Sequence, residues 1–372
     1  MAITVFKTFI NGEVLLASDL NSSITTLLNE INVHGGEIDT LNGPTQGRSR
    51  NLIINGDFSI WQRGTSATTF GYKADDRWFT AGNGNTVTFS RQAFTLGQTD
   101  VPGNPQYFSR TVITSSAGAS NFTSKYQAVE SVINTSGKEV TLSFWAKADS
   151  AKNIATEFFQ SFGTGGSPSA PVLGINAVTH ALTTSWQKFT VTAAIPSVSG
   201  KTLGTSGSDQ LGVDFWFDAG SDFDSRTNSL GQQSGTFDIA NVQLEFGDTA
   251  TEFEYVSPAD QLARCQRYYW RVEKTSSNVA LGTTATYTTN VSSYTTLKYP
   301  VTMRAIPSIS SSAASTFTVY INNAAVAPSA VASEVATEHA VDFRFTIVST
   351  QAHAGIARIT TTGGFISADA EL

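Results

Sequence analysis

Carboxyl pairs, and tryptophans on otherwise polar strand faces, are the residues of this chain whose types and spacing suit chemistry on a sugar. Hydrolysis of a glycosidic bond uses two carboxyl groups set several ångströms apart across a groove. Asp75-Asp76, Asp214 with Asp218, and Asp222 with Asp224 are the candidate pairs. Neighbours on a strand point to opposite faces, so Asp75 and Asp76 pair only if they lie in a turn. Asp214 and Asp218 share a face but stand about 13 Å apart at strand rise, beyond both glycosidase separations. Catalysis is therefore not expected of this chain. Binding fits better, because an aromatic ring flanked by Asp and Lys can stack on the CH face of a sugar while its neighbours bond hydroxyls. The expectation is that Trp145, Lys147, Asp214, Trp216 and Asp218 lie on one sheet face and touch a glycan. The competing reading is that this face packs on a neighbouring subunit or on a second domain.

Other chemistries lack their residues. His34, His180, His339 and His353 are scattered without metal spacing, and no phosphate-binding loop or Gly-x-Ser-x-Gly is present. Cys265, the only cysteine, has no His or acid motif beside it and reads as core filler. With no possible intrachain disulfide, the chain suits folding in a reducing cytoplasm. Net charge is −7 and no Lys/Arg run occurs, which argues against nucleic acid as a partner. No signal-peptide core and no run of membrane-spanning length appears, so neither secretion nor membrane insertion is expected.

The elements that would carry these residues are mostly strands. Charged residues make up only 14 %, with abundant Gly, Ser and Thr, which suits an all-β chain with many turns. Residues 1–42 read as an attachment and oligomerisation segment. Its first strand spans 3–10, and Leu20, Ile24, Leu27, Ile31, His34, Ile38 and Leu41 fall at heptad a and d positions. Ile at a with Leu at d favours dimers in coiled coils, and Gly35-Gly36 weakens the third heptad by about 2 kcal/mol. An amphipathic helix packed on its own domain is the alternative. Residues 43–50 form a linker with no apolar residue. Period-two runs fill 51–256: Val140, Leu142, Phe144 and Ala146 alternate with Thr141, Ser143, Trp145 and Lys147, and Val213, Phe215 and Phe217 alternate with Asp214, Trp216 and Asp218. One-sided alternation of this kind predicts a two-sheet sandwich. Residues 257–274 predict a linking helix, with Ser257 as N-cap, Pro258 in the first turn and Asp260 at the capping-box position. Residues 275–372 predict a smaller β-sandwich domain.

Asn51-Leu52-Ile53-Ile54-Asn55-Gly56-Asp57-Phe58-Ser59-Ile60-Trp61-Gln62-Arg63-Gly64, followed by Asp75-Asp76-Arg77-Trp78, reads as a strand, a tight turn and a second apolar run. Gly56 is expected to supply a positive φ there, with Asn55 and Asp57 bonding back onto the backbone. This run, together with Gly235-Thr236-Phe237-Asp238-Ile239-Ala240-Asn241-Val242-Gln243-Leu244-Glu245 and Ala263-Arg264-Cys265-Gln266-Arg267-Tyr268-Tyr269, resembles bacteriophage tail fibre and receptor-binding proteins. The opening and closing pair also resembles galactose-binding-like jelly rolls, the fold of many carbohydrate-binding modules. The resemblance implies a homotrimer, with Leu20, Ile24, Leu27, Ile31, Ile38 and Leu41 as its seam and the amino-terminal segment held by a tail or baseplate protein. It implies attachment of a virion tail to host surface polysaccharide or lipopolysaccharide. It also implies a structural Ca²⁺ between the first and last strands, where Asp57 and Asp238 match, although a turn explains Asp57 and a strand end explains Asp238 equally well. Two other functions stay open, a structural virion adaptor or decoration protein and a glycan depolymerase.

Overall fold

The computed structural model describes residues 49–286, 292–322, 324–348 and 354–372. The strand expected over 3–10, the heptad seam Leu20, Ile24, Leu27, Ile31, Ile38 and Leu41, His34, His353 and most of the linker lie outside the described residues. The chain divides after Arg50, and residues 51–372 form one compact unit.

That unit is mainly β and holds two cores. Eleven strands build the first as a jelly-roll-type sandwich: β1 Ser66–Ala67, β2 Trp78–Asn83, β3 Thr86–Ala93, β4 Tyr107–Thr114, β5 Phe122–Glu130, β6 Glu139–Ala148, β7 Lys152–Ser161, β8 Val172–Leu182, β9 Gln187–Ala194, β10 Gln210–Ala219 and β11 Gly235–Phe246. One antiparallel sheet runs β1-β3-β4-β11-β6-β9 and the other β2-β5-β10-β7-β8. The alternation dictates the packing. Val140, Leu142, Phe144 and Ala146 of β6 face Val213, Phe215 and Phe217 of β10 in a core that also buries Phe58, Trp78, Phe89, Phe158 and Phe237.

Residues 51–60 form bends and a turn rather than the expected first strand. The segment is still tied to the end of the sandwich: the Leu52 amide donates to the Leu244 carbonyl and the Val242 amide to that of Gly56, at 2.8 and 2.9 Å. Buried Asn51 links them, its Oδ1 accepting from the Ile53 and Leu244 amides. Asn55 does the same one turn later, accepting from the Ile60 amide and donating to the carbonyls of Ile60 and Asp76. Positive φ falls on Asn55 (59°) and Phe58 (54°), not on Gly56. Gly56 is required for a different reason. A Cβ there would stand 2.0 Å from the Val242 carbonyl oxygen.

Two short helices follow in chain order, α1 Asp224–Thr227 and α2 Pro258–Gln266. Helix α2 begins as its sequence requires, with Ser257 Oγ accepting from the Asp260 amide and donating to the Asp260 carboxylate. It stops at Gln266, short of the expected 274, because Tyr269 already belongs to a strand. Ten strands make the second β region: β12 Tyr269–Glu273, β13 Val279–Thr286, β14 Ser292–Lys298, β15 Ser308–Ser311, β16 Phe317–Ile321, β17 Ala324–Val326, β18 Ala330–Ala336, β19 Ala340–Thr346, β20 Ala354–Ile359 and β21 Phe365–Asp369. They form a sheet β12-β21-β15 and a seven-stranded sheet β17-β16-β20-β13-β14-β19-β18. Met303, Phe317, Val319, Phe343, Phe345, Ile359 and Ile366 fill the core of this region.

The two β regions meet through charge. Arg77, 1 % exposed, pairs with Glu371 and donates to the Ala128 carbonyl, while Arg63 pairs with Asp369 and Glu371. Arg304 donates to the carbonyls of Ala370 and Glu371 and to that of Gly207 in the first region. Arg267 and the Tyr268 hydroxyl both reach Glu130.

Candidate functional site

The outward face of the six-stranded sheet carries the arrangement best suited to a ligand. Trp145 on β6 sits between Ala240 of β11 and Lys188 of β9 in the ladder, and Lys147 stands opposite Asp238. Arg110 of β4 grips Asp238 with two parallel hydrogen bonds of 2.7 and 2.8 Å. Lys147 lies 3.9 Å from the same carboxylate and 5.2 Å from the Trp186 ring centroid. Trp186 in turn packs on Phe94 and Phe108.

A strap of chain crosses this face and makes it concave. Outward-facing Gln243 and Glu245 hold the strap down: Glu245 accepts from the Thr251 amide and hydroxyl, and Gln243 donates to the Glu252 carbonyl and accepts from the Glu254 amide. A register shift in β11 between Ala240 and Gln243 leaves Asn241 in left-handed backbone at φ 46° beneath the strap. Asn241 Nδ2 donates to the Tyr255 hydroxyl at 3.1 Å, and that hydroxyl donates to the Pro102 carbonyl at 3.0 Å. Gly103 admits the Tyr255 ring, since a Cβ on this residue would lie 2.2 Å from the Tyr255 hydroxyl oxygen.

The result is a cleft of about 460 Å³ with Trp145, Phe253 and Tyr255 as aromatic walls and Lys188, Glu252 and Asn241 as polar groups. Tyr255 is 47 % exposed, so its ring is available to a ligand. Asn241 is 3 % exposed and its Oδ1 has no hydrogen-bond partner among the described residues. A buried acceptor left open is costly unless something donates to it. Lys188 Nζ reaches the Thr251 carbonyl at 3.4 Å and spans the cleft's edge. These groups can stack on a flat apolar surface and bond the hydroxyls around it.

The five residues expected on one face are divided between the two sheets. Trp145 and Lys147 belong to the cleft sheet; Asp214, Trp216 and Asp218 lie on β10 of the other sheet, facing away on the far side of the sandwich. The latter three are also buried. Trp216, 1 % exposed, packs on Phe122 and Phe223 and donates to Glu157 at 3.2 Å. Asp218 accepts from Asn85, Ser115 and the Gln233 amide. Asp214 lies beside Glu157 in the ladder, accepts from Ser124, and is pushed up to about 7 by burial and then by the Glu157 charge. Phe223 and Leu230, in the segment joining β10 to β11, cover Trp216, and sequence alternation cannot reveal such a cover.

The carboxyl pairs weighed for hydrolysis are likewise engaged. Asp75 bonds Lys125 and Ser109 inside the sandwich, and Asp76 bonds Gln62. Burial first, against the nearby Arg63, sets Asp76 at about 6. Asp222 and Asp224 are exposed around α1. Among the cleft's lining residues Glu252 is the one carboxylate. Of the residues expected for Ca²⁺, Asp238 holds the Arg110 guanidinium, and Asp57 accepts from Ser59 and Gln261. No group of three or more His, Cys, Asp or Glu side chains suited to a metal occurs among the described residues. Cys265 is fully buried, its thiol pushed up by burial. Buried His180 bonds Thr156 and is pushed down to about 4 by burial, and exposed His339 lies near Thr302.

Sequence reasoning missed Asn241, Glu252, Phe253 and Tyr255. Ala240-Asn241 interrupting the apolar alternation of β11 is the signal for the bulge, and Phe253-Glu254-Tyr255 is a short period-two run after it.

No protein-family model and no curated protein matches this sequence. Solved structures similar to it include a CBM4 structure, 18 % identical over 54 % of this chain and all of the other, at a TM-score of 0.30. TmCBM61, solved with β-1,4-galactotriose, is 13 % identical over 54 % of this chain and all of its own, at 0.29. The enzymatically active domain of bacteriophage CBA120 tailspike protein 4 is 11 % identical over 53 % of this chain and 22 % of its own, at 0.31. Superpositions this loose assign no role to any residue here.

Proposed function

We propose that the cleft beneath Tyr255 binds a saccharide and that the protein is a non-catalytic adhesin that attaches a virion tail to host surface glycan as a trimer. One observation carries the binding reading: the aromatic side chains Trp145, Phe253 and Tyr255 line one cleft together with the polar side chains Lys188, Glu252 and Asn241. A pyranose ring presents an apolar face for the aromatic walls and hydroxyls for the polar groups among them. The virion, the trimer and the tail partner rest on the sequence resemblance to phage fibres. Weak single-site contacts would then be multiplied by valency.

The test is binding of the fluorescently labelled full chain to bacteria before and after periodate oxidation of their surface sugars. Binding abolished by periodate, and lowered at least tenfold by Trp145→Ala in a chain of unchanged melting temperature, is the expected result. Binding that survives both treatments removes the saccharide reading. A chain that decorates particles yet binds no host cell favours the structural virion role.

A further inference from the structure

The seven-stranded sheet of the second β region has one face in its core and one outward. Tyr320 on β16, Ile356 and Arg358 on β20, Thr283 on β13, Tyr294 and Thr296 on β14, and Asp342 on β19 alternate with core residues and share the outward face. Two adjoining depressions, of about 530 and 570 Å³, meet at Thr283 and Ala354. The floor is low because its residues are small: Thr283, Ala285, Ala354 and Gly355. Tyr320 rises on one side and Tyr294, 37 % exposed, on the other. The result is a trough running across four strands.

Its charges are unevenly satisfied. Arg344 pairs with Glu334 at 2.7 Å, and Asp342 accepts from Thr296 at 2.6 Å. The Arg358 guanidinium is held over the Tyr320 ring, 4.8 Å from the centroid, and makes no hydrogen bond or ion pair among the described residues. A guanidinium fixed on a ring keeps its N–H donors in a preset fork, which matches a carboxylate with two parallel hydrogen bonds. Ile356, 37 % exposed, lines the same depression and offers apolar surface beside it. Threonine hydroxyls, an arginine and tyrosines around a shallow floor of small residues suit a hydrated polyhydroxyl ligand, and the small, polar floor residues offer no large apolar anchor of the kind on which protein–protein interfaces are centred.

We propose that this trough is a second saccharide site, separate from the cleft of the first sandwich, and that it takes an acidic sugar whose carboxylate pairs with Arg358 while its ring lies on Ile356 and the small-residue floor. The proposal does not depend on the Trp145 cleft.

The test uses the full chain with galacturonate, mannuronate and glucuronate oligosaccharides as probes, each beside its carboxyl-reduced form, in isothermal titration at low salt. The expected result is binding of at least one hexuronate, at least tenfold weaker once its carboxyls are reduced. Arg358→Met lowers that binding tenfold or more, and Trp145→Ala leaves it unchanged. Ile356→Glu, an exposed change that sets an anion in the trough, gives the same loss and decides the matter if Arg358→Met unfolds the region. No binding to any hexuronate overturns the proposal, as does equal binding by Ile356→Glu. Loss with Trp145→Ala would place the acidic sugar in the first cleft instead.

Discussion

Arg77 lies over the ring of Tyr268, its guanidinium carbon 3.5 Å from the centroid, and one residue later Tyr269 carries Arg63 at the same 3.5 Å. Two consecutive tyrosines where α2 passes into β12 thus hold two arginines of the first β region, and Glu371 pairs with both arginines. The Asp-Arg-Trp and Arg-Tyr-Tyr runs of the sequence are two halves of this one seam.

Glu371→Gln should therefore leave the Arg77 guanidinium buried without its counter-charge. Breaking one partner of a buried pair costs about 3–5 kcal/mol, whereas replacing both by apolar groups is near neutral. Urea unfolding should show the large loss in Glu371→Gln and recovery of most of it in the double change Arg77→Met, Glu371→Leu. Equal stability of Glu371→Gln and the parent would show the pair to be dispensable.

Asp214 gives the fold a pH dependence. Its carboxyl titrates near 7 in the folded chain and near 4 once unfolded. Between those values the folded state holds a proton that the unfolded state has lost, so this residue's contribution falls as pH rises from about 4 to 7 and is constant above. Asp214→Asn should raise stability at pH 8 by up to about 4 kcal/mol relative to the parent, with the gain vanishing toward pH 4. Glu157 and Arg226 face the same point, so a gain that persists at pH 4 would locate the effect in packing.

Gly56→Ala should destabilise strongly although alanine is ordinarily harmless. The added methyl would meet the Val242 carbonyl oxygen at 2.0 Å, and backbone cannot step aside as a side chain does. A loss of about 3 kcal/mol or more is expected in chemical denaturation, at the upper end for overpacking. An unchanged midpoint would mean that the opening segment moves freely against β11.

Trp145→Ala and Trp216→Ala should behave oppositely. Trp216 is packed on Phe122 and Phe223, and truncating a buried tryptophan costs about 3–5 kcal/mol. Trp145, on the cleft wall, should change ligand binding while melting temperature stays within a few degrees. Comparing thermal melts with glycan binding for the two variants separates these roles, and loss of binding by a fully folded Trp216→Ala would contradict the burial.

These two tryptophans also show what the sequence could convey. Period-two alternation identified their strands, the sandwich and the inward residues Phe144 and Phe215, because a strand's geometry is local. It showed that both rings point out of the core, but not what lies over each. The cover of Trp216 comes from Phe223 and Leu230, and the concavity around Trp145 from a strap pinned by Gln243 and Glu245. Both are tertiary facts without a local signature. Nor does alternation tell one sheet from another, so it cannot show that β6 and β10 belong to different sheets. Gly56 was recognised as necessary for a turn when its constraint is a contact with a residue far along the chain. Ser257 and Asp260 were legible because a capping box is complete within four residues.

The ties between Asn51 and Val242, separated by 191 positions, bear on how the molecule is made. Strand β11 lies between β4 and β6, so until residue 246 is available the six-stranded sheet exists as two halves, each with a raw edge. Pairings this distant in sequence form slowly, and unpaired strand edges recruit one another between chains. Nascent or truncated chains ending before β11 should thus be the species most prone to aggregate, and chaperone demand should fall sharply once that strand has emerged.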